Sequence, residues 1–306
     1  MRGRDLLSVG DLTSDEVDGL VGQAGIMKKA RKPSALLAGK TLALIFEKPS
    51  LRTRVSFELA VGELGGRSIC LSREEVGLGK REPIGDVARV LSRFVDGMIV
   101  RTYAQANLET LAAAAGVPVI NALSDSEHPC QALADLLTLR ERKGKLAGLT
   151  IAFVGDGNNV ANSLLLACCL VGMNFRIASP AGYDIEEAFL KKARELSVSS
   201  GSRILVTRDP QEAARDADAV YTDVWVSMGQ EAEAERRRSA FGGYQVSPSL
   251  LSRAKPDVLL MHPMPVHYGE ELAAGMSDSP ASVIFDQAEN RLHVQKALLA
   301  EIFAGQ

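Results

Sequence analysis

The chain has 306 residues, 46% hydrophobic and 24% charged, with a formal net charge of −3. That length accommodates two domains with substantial cores, and the balance is ordinary for a globular protein. It excludes a global basic field for nucleic acid or anionic membrane, and no apolar run approaches the roughly 20 residues of a membrane span. The opening MRGRDLLSVG carries no apolar stretch of signal-peptide length, so a cytoplasmic location is expected. Four cysteines (Cys70, Cys130, Cys168, Cys169) fit no zinc spacing and read as buried free thiols of a reducing compartment.

In chain order, short β-like runs alternate with helical runs. The first series is TLALIF (41–46), RSICL (67–71), GMIVR (97–101) and VPVIN (117–121). The second is TIAFVG (150–155), NFRIAS (174–179), RILVT (203–207), AVYTD (219–223), VLLMH (258–262) and SVIFD (282–286). Helical stretches include 55–64, 108–114, 159–170 and 185–196. This alternation predicts an α/β protein with two doubly wound parallel-sheet domains of similar size, linked by helices. The break falls in the polar segment around 140–148, giving domains at 1–146 and 147–287, with a C-terminal helix of about 288–306 packing back on the first.

In such folds ligands sit beyond the carboxyl ends of strands, so polar clusters just after strands carry the weight. After TLALIF comes Glu-Lys-Pro-Ser-Leu-Arg-Thr-Arg (47–54), a turn into a helix start. Unpaired N–H groups at a helix mouth bind anions, and Arg52 and Arg54 add forked donors suited to phosphate. The alternative is Ser50 as a plain helix cap with solvated arginines. Arg101, at the end of GMIVR, is a further cation candidate. His128-Pro-Cys-Gln131 puts His128 and Gln131 on one face of a helix start, able to hold a planar carbonyl–amine group or merely to cap the helix.

In the second half, GDGNNV (155–160), DVWVSMG (223–229) and HPMP (262–265) follow strands. Asp223 and Ser227 suit an ammonium group, and Asn159 an amino-acid head group. GDGNNV also suggests a dinucleotide site, but Val160 stands where a third glycine belongs and no acid ends the next strand. Trp225 reads as packing, His293 as an exposed helical residue, and the run 235–238 (ERRR) as a solvated helix face.

Together FEKPSLRTRVSFE (46–58), ARVLSRFVDGMIVR (88–101), HPCQALADLLT (128–138), GDGNNVANS (155–163), DVWVSMGQE (223–231), HPMPVHYGEE (262–271) and AENRLHVQKALL (288–299) resemble the aspartate/ornithine carbamoyltransferase family, in order along most of the chain. The resemblance implies a carbamoyl phosphate domain in which Ser50, Leu51, Arg52 and Thr53 hold the phosphate. Arg101 and His128 would contact the carbamoyl oxygen and Gln131 its nitrogen, with Arg291 completing the set. The second domain would bind the amino acid through Asn159, Asp223, Ser227 and Met228, the last two on a mobile loop. D-x-x-x-S-M-G points to L-ornithine as acceptor. Carbonyls of Pro263 and Met264 would accept from the carbamoyl amine, beside a cis Met264–Pro265 peptide. Arg101, His128, Asp223 and Pro263 would be the catalytic set. The resemblance implies no cofactor or metal and assembly as homotrimers or multiples of trimers; with ornithine as acceptor the expected role is arginine biosynthesis, the catabolic reverse being the alternative.

Three departures stand out. Pro263 replaces the cysteine of the common HCLP text, so no thiol meets the ornithine amine. Tyr268 stands where arginine is common. Gly77 replaces a glutamine that reaches a neighbour's phosphate site, and Lys80 or Arg81 on that Gly-rich loop could reach across instead. Carbamoyl transfer to putrescine, an N-acylornithine or aspartate remains open, as does a nicotinamide-dependent dehydrogenase or a non-catalytic homologue.

Overall fold

The computed structural model describes residues 1–303 apart from 31, 33 and 228. The chain divides into two units: residues 1–137 with 289–306, and residues 138–288. In the first unit the strands are β1 (Thr41–Phe46), β2 (Arg67–Ser72), β3 (Gly97–Arg101) and β4 (Val119–Leu123). Its helices are α1 (Ser14–Ala30), α2 (Leu51–Glu63), α3 (Arg73–Val76), α4 (Ile84–Leu91) and α5 (Gln105–Ala114). α6 (Pro129–Lys143) runs from the first unit into the second. The second unit holds β5 (Thr150–Val154), α7 (Asn159–Leu170), β6 (Asn174–Ala178), α8 (Glu187–Ser200), β7 (Ile204–Thr207), α9 (Pro210–Ala214) and β8 (Ala219–Tyr221). It continues with α10 (Ala234–Phe241), α11 (Pro248–Leu251) and β9 (Leu259–Met261); α12 (Ile284–Phe303) then returns the chain to the first unit.

Both sheets are parallel throughout, ordered β2-β1-β3-β4 and β7-β6-β5-β8-β9. Central strands such as β5 (TIAFV) are apolar at nearly every position because helices cover both faces. The edge strand β2 has no fully buried residue, with Arg67 and Ile69 exposed and the others half-buried. α7 is buried from Val160 to Leu170, including Cys168 and Cys169. Each fully buried leucine there contributes about 1.5–3 kcal/mol of transfer free energy.

Strand order fixes where chemistry sits. The winding reverses between β1 and β3 in the first sheet and between β5 and β8 in the second. At such a switch the loops after the two strands diverge and leave a crevice. The segments 47–52 and 101–102 flank one crevice, and 155–159 and 222–227 the other.

One expected strand is absent. SVIFD contributes a single bridge, Ser282 to Leu260, and helix α12 begins at Ile284. Three consecutive apolar residues cannot distinguish a strand from the buried start of a helix. Two side-chain expectations also fail. His293 is buried, with Nε2 3.2 Å from Glu289 Oε1, because that face of α12 packs inward. Arg237, within the ERRR run, is buried as well.

Candidate active site

In the first unit, the turn after β1 delivers Ser50 as the N-cap of α2, in extended conformation and with no side-chain capping bond. The plain-cap reading of Ser50 therefore lacks its defining contact. One turn in, Thr53 is fully buried. Its Oγ1 accepts from Arg101 Nη1 at 3.3 Å and from Arg291 Nη2 at 2.5 Å. Thr53, Arg101 and Arg291 thus meet on one hydroxyl, although they lie on α2, β3 and α12. Arg52 is half-buried beside them, and Leu51 is exposed. Arg54 instead pairs with Glu58 at 2.9 Å on the outer face of α2.

The charge of this cluster is its chief property. Burial lowers Arg101 to about 10, and the charges acting on it, Arg291 and Arg52, are both cations. Arg101 Nε has no acceptor among the described residues. A buried guanidinium surrounded by cations is unfavourable unless an anion joins it. His128 is buried next to the same group, and burial with Arg291 and Arg101 holds its pKa well below the usual imidazole value. The imidazole is therefore neutral at physiological pH, able to donate from one nitrogen without adding charge.

Gln131 lies one turn into α6, fully buried. Its Nε2 donates to Asp135 Oδ1 at 2.8 Å, which orients the amide, and its Oε1 has no partner among the described residues. The set therefore presents cationic donors, a neutral imidazole and one amide acceptor. That matches a phosphate joined to a planar group bearing both C=O and N–H.

Two neighbours were not singled out in the sequence. Lys48 is buried with Nζ 4.2 Å from the Tyr103 ring centroid, and Glu47 accepts the Thr102 hydroxyl across the crevice. Lys80 and Arg81 are exposed, on a loop where Gly77 and Gly79 have φ of 56° and 67°.

In the second unit, Asn158 is the N-cap of α7, accepting from the backbone N–H groups of Val160 and Ala161. Its Nδ2 donates to Asp223 Oδ2 at 2.8 Å, and Val224 N–H donates to Oδ1 at 2.8 Å. Asp223 is buried, and burial raises its pKa against the opposing effects of His262, Asn158 and Val224. Asn159 follows at the helix start. The loop beyond Asp223 is anchored by Arg237, whose Nη1 donates to Asp156 Oδ2 at 2.7 Å and to the Trp225 carbonyl at 3.1 Å. Trp225 packs on Phe241 with ring centroids 5.8 Å apart. Ser227 N–H donates to Gln230 Oε1 at 3.0 Å; Met228 lies outside the described residues. A buried carboxylate held by Asn158 and the Val224 N–H is chemically suited to an ammonium group.

Pro263 and Met264 follow β9. Met264 has φ +60° and precedes a cis peptide to Pro265. A left-handed conformation costs a non-glycine residue about 1–3 kcal/mol, so the surroundings must hold it. Tyr268 turns its hydroxyl to Ser277 Oγ at 2.8 Å. His267, Glu270 and Glu271 form the one group of metal-ligand spacing among the described residues, but Glu270 pairs with Arg238 and Glu271 with His262.

The dinucleotide reading meets a steric obstacle. A Cβ on Gly157 would lie 2.3 Å from Asp184 C and Ile185 N. The close approach that the second glycine of G-x-G permits is taken by the chain's own backbone, where a pyrophosphate would need it.

Residues 4–141 match the family profile described as the carbamoyl-P binding domain of aspartate/ornithine carbamoyltransferase, and residues 147–302 match its Asp/Orn binding domain. The chain belongs to the aspartate/ornithine carbamoyltransferase family. Within it, the chain is 49% identical over 308 residues to the ornithine carbamoyltransferase of Thermococcus kodakarensis, covering 100% of this chain and 98% of that one. It is 50% identical over 308 residues to the Pyrococcus furiosus protein named anabolic ornithine carbamoyltransferase, with coverage of 100% and 98%. The solved structure of ornithine carbamoyltransferase from Pyrococcus furiosus superposes with a TM-score of 0.96 at 50% identity, covering 100% of this chain and 98% of that chain.

Proposed function

We infer that the protein transfers the carbamoyl group of carbamoyl phosphate to the δ-amine of L-ornithine, giving L-citrulline and phosphate. The observation that carries this reading is the convergence of Arg52, Arg101 and Arg291 around Thr53, in a chain similar over its full length to ornithine carbamoyltransferases. Ser50, Leu51, Arg52 and Thr53 hold the phosphate at the mouth of α2, with Arg291 beside them. Arg101 and His128 donate to the carbamoyl oxygen, and Gln131 Oε1 accepts from its amine. Carbonyls of Pro263 and Met264 accept from the same amine. Asn159, Asp223, Ser227 and Met228 hold ornithine, with Asp223 on an ammonium group.

The chemistry uses these groups economically. The δ-ammonium first loses one proton to solvent, and the lone pair of the neutral amine attacks the carbamoyl carbon, forming the C–N bond; a second proton then leaves that nitrogen. Negative charge then builds on the carbamoyl oxygen, and Arg101, His128 and Thr53 stabilise it. Losing one such donor typically costs about 10²–10³ in turnover. The C–O bond to phosphate breaks, and the departing phosphate accepts the amine proton. No step calls for a redox group or a metal. Binding both substrates together supplies orientation, a large share of such rate gains.

Among the described residues no helix is long and apolar enough to cross a membrane; the location we propose is the cytoplasm. A role in arginine synthesis is supported by the relative named anabolic. A homotrimer, or a multiple of trimers, is supported by an apolar stripe on α2. Leu51, Val55 and Leu59 are 74%, 44% and 49% exposed at helical spacing, with Ile69 of edge strand β2 48% exposed. In that assembly Lys80 and Arg81 reach the neighbour's phosphate. Replacing both with alanine should raise the KM for carbamoyl phosphate; unchanged affinity would remove them from the site.

The deciding experiment is phosphate release from carbamoyl phosphate with ornithine, putrescine, N-acetylornithine and aspartate offered in parallel. Turnover with ornithine alone is expected. Preference for another amine would reassign the second unit and leave the carbamoyl half intact.

A further inference from the structure

The turn that begins at His262 contains a device for aiming one carbonyl group. Met264 N–H donates to His262 Nδ1 at 2.9 Å. A nitrogen that accepts carries no proton, so the neutral ring bears its hydrogen on Nε2. That nitrogen lies 3.1 Å from Glu271 Oε1, and both side chains are fully buried. The same Glu271 oxygen accepts from His267 N–H at 2.6 Å. One carboxylate oxygen thus holds the imidazole and the far end of the turn. His262 is fixed from behind as well: its own N–H donates to Gln287 Oε1 at 2.9 Å, and Gln287 Nε2 donates to the Tyr221 hydroxyl at 3.0 Å.

The peptide between Pro263 and Met264 is trans, unlike the one that follows. In a planar trans peptide the C=O and the N–H point in opposite directions. With Met264 N–H turned onto the imidazole, the Pro263 carbonyl must face away from it. Neither the Pro263 nor the Met264 carbonyl accepts a hydrogen bond from any protein donor among the described residues.

We propose that His262 is a positioning residue: its Nδ1 anchors the Met264 N–H and thereby aims the Pro263 carbonyl at an N–H of the substrates, while Glu271 enforces the tautomer that makes this possible. The proposal rests on the reading that the Pro263 carbonyl meets the carbamoyl amine. With the proton on Nδ1 instead, two N–H groups would oppose each other and the peptide would turn its carbonyl inward.

The test uses the full-length enzyme and two readouts. Histidine-selective ¹⁵N labelling resolves the ring nitrogens of the four histidines, the His262 signals being those lost in His262→Asn. A protonated Nε2 with a bare Nδ1 is expected. Kinetically, His262→Ala should lower kcat by about 100-fold, the scale of a misplacement near 1 Å, with a smaller change in the KM for either substrate. His262→Asn, whose Oδ1 replaces Nδ1 as acceptor, should restore kcat to within about tenfold of the parent, on that same scale. Thermal midpoints of both variants separate folding from positioning, and the spectrum stands even if the alanine variant fails to fold. A proton on Nδ1, or an asparagine variant as stable as the parent but no faster than alanine, would overturn the device. The expected tautomer with undiminished kcat in a folded alanine variant would instead overturn the role of the Pro263 carbonyl.

Discussion

Arg291 Nη2 lies 2.5 Å from Thr53 Oγ1, joining residues 238 positions apart at the mouth of one helix. The hydroxyl therefore receives donors from Arg291 and Arg101 together, and the start of α2 is tied to the last helix of the chain. Thr53→Val removes the shared acceptor and the hydroxyl donor. Turnover should fall by about 10²-fold, with the ornithine KM nearly unchanged. Steady-state kinetics with each substrate varied in turn measure both.

Arg101 is buried with the cations Arg291 and Arg52 acting on it, an arrangement that costs stability when no anion is bound. Arg101→Met should raise the unfolding free energy without ligand by roughly 1–3 kcal/mol while nearly abolishing turnover. Inorganic phosphate should stabilise the parent, as any ligand of the folded state does, and stabilise this variant much less. Thermal melts with and without phosphate make the comparison; a variant no more stable than the parent would contradict the repulsion argument.

His128 gives a pH dependence. Its folded-state pKa is depressed, so its contribution to stability is complete above the unfolded value of about 6.5 and is lost as pH falls below it. Asp223 and Asp156 act oppositely: their folded pKa values are raised, so each favours the fold more as pH drops through that value. Urea unfolding between pH 5 and 7 should show an acid decline of up to about 1.4 kcal/mol per pH unit from His128. His128→Gln should flatten it.

Asn158 serves two structures, the start of α7 and the carboxylate of Asp223. Asn158→Ala should cost about 1 kcal/mol of stability from the lost cap. It should also raise the ornithine KM about tenfold, since hydrogen bonds to charged groups are worth about 1.5–3 kcal/mol. An equal rise in the carbamoyl phosphate KM would show a general disturbance instead.

The stripe on α2 predicts assembly. Leu59→Glu puts a charge amid Val55, Ile69 and Leu51 and should shift the protein toward monomer in sedimentation. Activity should fall with it if neighbouring loops complete the site.

The alternation of strands and helices was legible because parallel strands covered on both faces must be apolar along their length, as TLALIF and TIAFV are. The places to look followed from topology, since loops at the carboxyl edge of a parallel sheet flank its switch point. SVIFD was misread because its apolar residues begin a helix. The link from Asn158 to Asp223, the burial of Arg237 and the inward face of His293 depend on how α7, α10 and α12 pack. No local pattern marks one arginine of three as the buried one. Lys48 lay within the phosphate motif, yet its place over Tyr103 needs β1 and β3 side by side.

Proline at position 263 has a consequence outside the reaction. The turn after β9 offers no thiol to alkylating reagents, oxidants or soft metal ions, its one sulfur being the Met264 thioether. The remaining thiols are poor targets: burial pushes Cys130 and Cys169 up to about 12, Cys168 is fully buried, and only Cys70, on an edge strand, is partly accessible. A cysteine at the same position would admit thiol poisons that Pro263 does not.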